Sequence, residues 1–472
     1  MQVFHFAAEC YPLAKVGGLA DVVGALPKYQ QKAGIAASVV VPYYQRPFVR
    51  EYVFERIYQG RLQQGSHDYT YEIWKEANDI LGFALFLIKI PGLLDREEIY
   101  CYPDEDEQFL AFQHAALDWL CSAHIRPDII HCHDHHTGLI PFYIEHAPKF
   151  VFLKGTPTVG TIHNGQYQGW MPWPMASLMP AFDEWKWGLL DWNGIINRLG
   201  ALVKCSWVYT TVSAGYLDEL FQQANGLESL LAHERGKAHG IINGIDQDIW
   251  DSSLDEWIAE RFSANNRTEG KRKNKKKLLK GSLLDDKLPL LVFIGRFALE
   301  KGADLIPEII ELALHRLEGQ VNFFVLGSGN PKIESNLYAI KDRFPQHLDM
   351  HIGYNERLAH QLYASADFLL MPSRVEPCGL NQLYAMRYGA FPIVRATGGL
   401  KDTVKDIDVE NGYGILFQEA NAEEAVEAIE RSLMLWKSAA KKSRIGKKIM
   451  ELDFSWDKSA SQYIELYKKL ID

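Results

Sequence analysis

The stretch "LPLLVFIGRF", residues 288–297, is a nearly unbroken apolar run closed by Gly295 and Arg296. No position alternates toward water, so it reads as a strand buried on both faces. After "GRFALEKG" (295–302) come "VNFFVLGSG" (321–329), "DMHIGY" (349–354), "DFLLMPS" (367–373), "FPIVRA" (391–396) and "GYGILF" (412–417). Helix-period segments separate most of these runs. The alternation predicts an α/β unit, a parallel sheet covered by helices on both faces.

The same pattern runs upstream. "QVFHFAAE" (2–9), "AASVVVPYY" (36–44), "PDIIHCHD" (127–134), "PTVGTIHN" (157–164), "VYTTVS" (208–213) and "HGIINGI" (239–245) are strand-like. "YTYEIWKE" (69–76) and "ALFLIKI" (84–90) follow each other without a helix and are read as an antiparallel insertion. Two doubly wound domains are therefore expected, joined near residues 244–288. Within that joint, "NNRTEGKRKNKKKLLKGSLLDDKLP" (265–289) is polar and basic. It reads as a solvated linker and surface helix, with a nucleic-acid patch as the alternative.

A chain of 472 residues exceeds one ordinary core, which agrees with two domains. Its net charge of −10 argues against nucleic acid or a membrane surface as partner, while leaving room for a local basic pocket. No apolar run reaches the roughly 18 residues of a membrane span, and the N-terminus reads as a strand, not a signal peptide. The six cysteines are scattered without a C-x-x-C pair, as expected of reduced thiols in a cytoplasmic protein.

In doubly wound sheets, ligands bind beyond the carboxyl ends of the strands. The residues just after each strand are therefore the candidates. "YPLAKVGGLADVVGALPK" (11–28) sets Lys15 before Gly17 and Gly18 and an apolar helix. Such a turn lets backbone N–H groups approach a phosphate; a tight turn with a surface lysine has the same pattern. Arg296 and Lys301 flank the next such turn, and two cations there suit a diphosphate. In "MPSRVEPCGLNQLYAMRYG" (371–389), Glu376 can accept sugar hydroxyls, and the N–H groups of Gly379 and Leu380 can hold a phosphate.

These pieces, with "HCHDHHTGL" (131–139), "TIHNGQYQG" (161–169), "TVSAGY" (211–216), "GIINGIDQDIW" (240–250), "IGYNERLAHQLYASAD" (352–367) and "TGGLKDTV" (397–404), run nearly the whole chain. Their order and content resemble those of bacterial glycogen synthases and plant starch synthases, retaining GT-B glucosyltransferases. The resemblance implies two Rossmann-like doubly wound domains facing across a cleft. It places an acceptor-side domain over 1–245, a nucleotide-sugar-binding domain over 246–454, and a C-terminal helix over 455–472 that crosses back to the first. It also implies transfer of glucose to the non-reducing end of an α-1,4-glucan with retention, without metal or cofactor. ADP-glucose is the expected donor and UDP-glucose the alternative.

Residue by residue, the resemblance assigns Lys15 to the donor diphosphate, with Gly17 and Gly18 in the same motif. Arg296 and Lys301 would neutralise the leaving group, and Glu376 would hold the glucose hydroxyls. His163 and Asn164 are placed near the anomeric carbon, Asp134 near the sugar, Asn243 in the donor motif, and Tyr354 beside the base and ribose. Cys378, Gly379, Leu380 and Asn381 complete the loop after Glu376. Asn381 replaces a usual threonine, and its amide is expected to serve a phosphate. Gly200 stands where many members have lysine.

"HCHDHH" (131–136) admits a second reading, a metal-dependent hydrolase, but one spacer of the usual H-x-H-x-D-H pattern is missing. Sugar binding is the favoured reading, with no special role for His131 or His135. A third possibility is a catalytically silent glucan-binding homologue; the intact Lys15, Arg296, Lys301 and Glu376 argue against it. "WMPWPMASLMPAFDEWKWGLLDW" (170–192) holds five of the twelve tryptophans. They are expected to form a local core, with guidance of a glucan as the alternative.

Overall fold

The computed structural model describes residues 1–471 and divides into two compact units, Met1–Gly244 with Trp456–Asp472, and Ile245–Ser455. In the first unit the strands are β1 (Gln2–Phe6), β2 (Ala36–Pro42), β3 (Phe54–Gln64), β4 (His67–Glu76), β5 (Ala84–Lys89), β6 (Ile129–His133), β7 (Thr158–Ile162), β8 (Trp170–Met171), β9 (Asp191–Trp192), β10 (Ile195–Asn197), β11 (Val208–Thr211) and β12 (Ala238–Gly240). Nine of them form one sheet in the order β12-β11-β7-β6-β1-β2-β5-β4-β3, and β8, β10 and β9 form a small separate one. The large sheet is parallel up to β5, which pairs parallel with β2 and antiparallel with β4. The antiparallel insertion is thus an extension of the sheet edge.

Strand order reverses at β1: the chain builds outward through β2 and β5, then returns to build the other side from β6. The loops after β1 and β6 must therefore diverge to opposite faces, which opens a crevice between their ends.

The C-terminal helix Trp456–Ile471 belongs to this unit. Its Trp456, Tyr463 and Tyr467 are buried against Val3, Leu26, Tyr29 and Ile129, from β1, the helix Gly18–Lys32 and β6. Among the described residues no helix is long and apolar enough to cross a membrane.

The second unit carries β13 (Leu290–Ile294), β14 (Asn322–Gly327), β15 (Leu348–Ile352), β16 (Phe368–Met371), β17 (Phe391–Arg395) and β18 (Ile415–Phe417). They form a fully parallel sheet in the order β15-β14-β13-β16-β17-β18, reversing between β13 and β16. Asparagine side chains start three of its helices: Asn330, Asn355 and Asn421 accept from the N–H groups of Lys332, Leu358 and Glu424.

The basic segment departs from its sequence reading. In the helix Arg267–Leu278, Arg267, Lys271 and Lys275 are buried, four residues apart on one face. Lys271 Nζ donates to the carbonyls of Tyr363, Ala364 and Tyr388 at 2.9, 3.3 and 2.8 Å. Arg267 donates twice to the Gly389 carbonyl, and Lys275 pairs with Asp367 at 2.7 Å. These carbonyls lie at or just beyond the C-terminal ends of the helices Glu356–Ser365 and Asn381–Arg387. Helix ends leave carbonyls without intrahelical partners and carry partial negative charge. Here inward-facing cations satisfy them. Burial, with Arg267 alongside, pulls the Lys271 ammonium well below the ordinary lysine range.

Lys271→Met is expected to lower stability by about 2–4 kcal/mol, because three buried carbonyls lose their donor. Chemical denaturation of the full chain measures it. A midpoint equal to that of the parent protein would restore the solvated-face reading.

Candidate active site

Lys15, Asp134, Arg296, Lys301 and Glu376 follow the strands at the two reversal points, while His163 and Asn164 follow the neighbouring β7, and Asn243 and Tyr354 follow the edge strands β12 and β15. In the second unit, Lys301 follows β13 and Glu376 follows β16. Lys301 Nζ meets Glu376 Oε1 at 2.7 Å, and Ser373 Oγ donates to Oε2 at 3.0 Å. Glu376 is buried, while Lys301 is partly open. Gly302 makes this approach possible. Its φ is +63°, and a Cβ there would lie 2.0 Å from the Pro372 carbonyl oxygen. Residues missed in the sequence clamp the same two loops. Arg374 pairs with both oxygens of Asp304 at 2.5 and 2.9 Å, and the N–H groups of Arg374 and Val375 donate to the Glu300 carbonyl.

Arg296 does not join that pair; it reaches Glu300 at 2.8 Å on the exposed side. Asn381 Nδ2 donates to the Ile294 carbonyl at 2.7 Å, bracing the end of β13. One of the two amide protons expected for a phosphate is therefore engaged. Cys378 is buried, Gly379 is left-handed at φ +72°, and Leu380 precedes the helix Asn381–Arg387. Tyr354, after β15, is 75% exposed.

In the first unit, Asp134 follows β6 and His163 follows β7. Asp134 Oδ1 accepts from the His163 N–H at 2.7 Å, and its own N–H donates to the Thr161 carbonyl at 2.9 Å. Asp134 sits at φ +57°, a strained conformation of the kind concentrated at functional sites. Burial raises its carboxyl to about 7, against the lowering by the His163 and Asn164 N–H groups. Asn164 Oδ1 accepts from Gln166 N–H at 3.0 Å. Asn243 is buried, and its Oδ1 has no hydrogen-bond partner.

The loop after β1 carries a contact the sequence did not show. Val16 and Gly17 N–H donate to Glu9 Oε2 at 2.6 and 3.0 Å, so a protein carboxylate holds two backbone donors of the turn read as a phosphate approach. Tyr100 also donates to Glu9, at 2.7 Å, and Lys15 pairs with Asp21 at 2.7 Å. Around Gly17 and Gly18 a Cβ would meet nothing within 4 Å. The glycines leave open approach to the backbone.

The histidine run splits into two groups. His135 and His136 lie ring to ring at 3.7 Å, and His136 stacks on Tyr100. His131 and His133 instead join His5 of β1, with ring nitrogens close enough to hold an ion. Yet every ring nitrogen of these three has a neighbour: Gln30, Tyr467, Thr161, His163, or the pair His5 and His133 themselves. Among the described residues no carboxylate joins them, and Asp134 is turned to backbone. The donor set does not suit a hydrolytic metal centre, which needs an open position for water. The tryptophan block is also not a core: Trp185 is 92% and Trp187 54% exposed.

Residues 2–233 match the family model of the starch synthase catalytic domain, and residues 274–449 that of glycosyl transferases group 1. A glycogen synthase of Flavobacterium johnsoniae is 48% identical over 471 residues, covering 100% of this chain and 99% of that protein. The chain belongs to the glycogen synthase family. A glycogen synthase of Kosmotoga olearia is 35% identical, covering 100% of this chain and 98% of that protein. The catalytic domain of starch synthase IV from Arabidopsis thaliana, bound to ADP and acarbose, superposes with a TM-score of 0.89 at 33% identity, covering 99% of each chain. Sucrose-phosphate synthase from Thermosynechococcus elongatus, at 15% identity and TM-score 0.62 over 99% of this chain and 98% of that one, shares the two-domain GT-B architecture alone.

The raised Asp134 carboxyl has a stability consequence. The folded chain favours its protonated form, so its contribution is full below the ordinary carboxylate range and is lost as pH rises through about 7. Asp134→Asn cannot ionise. Its stability relative to the parent should rise between pH 5 and pH 8, measured by chemical denaturation; a gap independent of pH would contradict the assignment.

Proposed function

We propose that this member of the glycogen synthase family transfers glucose from ADP-glucose to the non-reducing end of an α-1,4-glucan, with retention. The observation that carries the reading is the Lys301–Glu376 pair, set across the strand reversal of the second unit. A diphosphate arriving there finds a partly open ammonium already beside the carboxylate that would receive the sugar hydroxyls. The Arabidopsis relative is bound to ADP, which supports adenine over uracil in the donor.

In this reading Lys301 and Arg296 stabilise the charge growing on the departing diphosphate, and Arg296 leaves Glu300 to do so. Lys15, beside the open Gly17–Gly18 backbone, takes the same ligand class. Asn243, with its orphaned buried oxygen, and Tyr354 are assigned to the donor as well. Cys378, Gly379, Leu380 and Asn381 shape the loop that carries Glu376. The carboxylates at the first unit's strand ends, Glu9 and Asp134, both hold backbone N–H groups. This supports attack by the acceptor 4-hydroxyl on the face the diphosphate leaves, with the departing phosphate taking its proton. The exposed Trp185 and Trp187 offer ring faces for sugar stacking and are assigned to the glucan. The six scattered cysteines, without a C-x-x-C pair, support a reducing, cytoplasmic setting.

Lys301→Ala and Arg296→Ala should each lower kcat by roughly 10²–10³, the loss of one preorganised charge contact. Unchanged kcat in both would sink the diphosphate assignment. Initial rates should be higher with ADP-glucose than with UDP-glucose and unaffected by a strong chelator. Activity lost to chelator and restored by zinc would instead favour the metal-dependent reading.

A further inference from the structure

Behind His163 lies a row of hydrogen-bonded side chains that the reaction, as described, does not use. His163 Nε2 meets His133 Nδ1 at 2.9 Å, His133 Nε2 meets His5 Nδ1 at 3.1 Å, and His5 Nε2 meets Gln30 Oε1 at 2.8 Å. Gln30 Nε2 donates to the Tyr467 hydroxyl at 3.2 Å, and that hydroxyl meets His131 Nδ1 at 2.6 Å. His131 Nε2 then meets Thr161 Oγ1, which meets Thr210 Oγ1, both at 2.6 Å. His163 alone reaches the surface, at 8% exposure; every other member is exposed by 1% or less.

The imidazoles are neutral. Burial lowers His5 to about 4 and His163 to about 3, and takes His131 and His133 well below the ordinary histidine range. A neutral imidazole has one N–H donor and one acceptor nitrogen. Gln30 can only accept through Oε1, so His5 donates from Nε2 and must accept at Nδ1. His133 therefore donates from Nε2 and accepts at Nδ1. His163 in turn must donate from Nε2. Beyond Gln30 the direction continues through its N–H to the Tyr467 hydroxyl, whose O–H can extend it to His131 and Thr161. From His163 to Tyr467 all links point one way.

We infer that this row fixes the tautomer of His163, turning its Nε2–H inward and leaving Nδ1 as an acceptor, with Gln30 and Tyr467 as positioning residues. His163 then accepts a hydrogen bond from a sugar hydroxyl and does not carry a proton between reactants. The acceptor role toward sugar rests on the glucosyl-transfer reading; the direction of the row does not. The C-terminal helix, through Tyr467, thereby acts on the residue just after β7.

The test uses the full-length protein with ring-¹⁵N-labelled histidine and no substrate, the His163 signal being assigned by its loss in His163→Gln. The expected spectrum shows His163 protonated at Nε2 only. Gln30→Met should give a mixture of tautomers and lower kcat about tenfold while leaving KM for glucan unchanged. Gln30→Glu retains an oxygen for His5 and should restore both. Tyr467→Phe, which keeps the ring packing, should also mix the tautomers and serves if Gln30→Met does not fold. An Nδ1-protonated or charged His163 in the parent protein would overturn the inference, as would a tautomer unchanged in Gln30→Met and Tyr467→Phe. Zinc added to the parent protein should leave the His5, His131 and His133 signals in place; stoichiometric shifts would make the cluster a metal site instead. Because the tautomer is read without substrate, it stands or falls separately from glucosyl transfer.

Discussion

Reversal of strand order is the constraint on which both candidate sites depend. A parallel sheet places all its strands' carboxyl ends on one edge, and reversal parts the loops of two adjacent strands. In the second unit those loops follow β13 and β16, and they supply Lys301 and Glu376. In the first they follow β1 and β6, and supply Lys15 and Asp134. The chemistry-bearing residues do not assemble by specific pairwise attraction. Right-handed crossovers and apolar strands bring them to one edge, and short contacts such as Arg374–Asp304 then set their angles.

Much of this was legible in the sequence, for a physical reason. Fully buried strands are unbroken apolar runs, so their ends are easy to find, and a parallel sheet makes those ends the site. Lys301 and Glu376 could be picked on position alone, while Asp134 and His163 came from the family resemblance. Their partners were less legible. Glu9 sits only a few residues after β1, yet nothing local says that its carboxylate will take the Val16 and Gly17 N–H groups. A carboxylate placed before a glycine turn was the available signal.

The basic helix shows the opposite failure. A run rich in lysine and arginine has the composition of a solvated face, and most of its cations are exposed. Arg267 and Lys271 face inward because helices ending below them leave carbonyls that need donors, and Lys275 faces inward to pair with Asp367. That requirement arises only once the helices Glu356–Ser365 and Asn381–Arg387 are in place. The histidine run that closes β6 was similarly ambiguous. It came within one spacer of a metal motif, and nothing local pointed to His5 of β1; partner choice at every ring nitrogen, including Tyr467 from the C-terminal helix, decides what these histidines do.

The central claim is that this arrangement moves a glucosyl group from a nucleotide to a glucan end. The most direct measurement follows the label itself: ADP-glucose carrying ¹³C in the sugar, a maltooligosaccharide acceptor, and the product read by NMR. The account requires the label to appear as a new α-1,4-linked residue at the non-reducing end, still in the α configuration. Label released as free glucose, or attached with a β linkage, would contradict it.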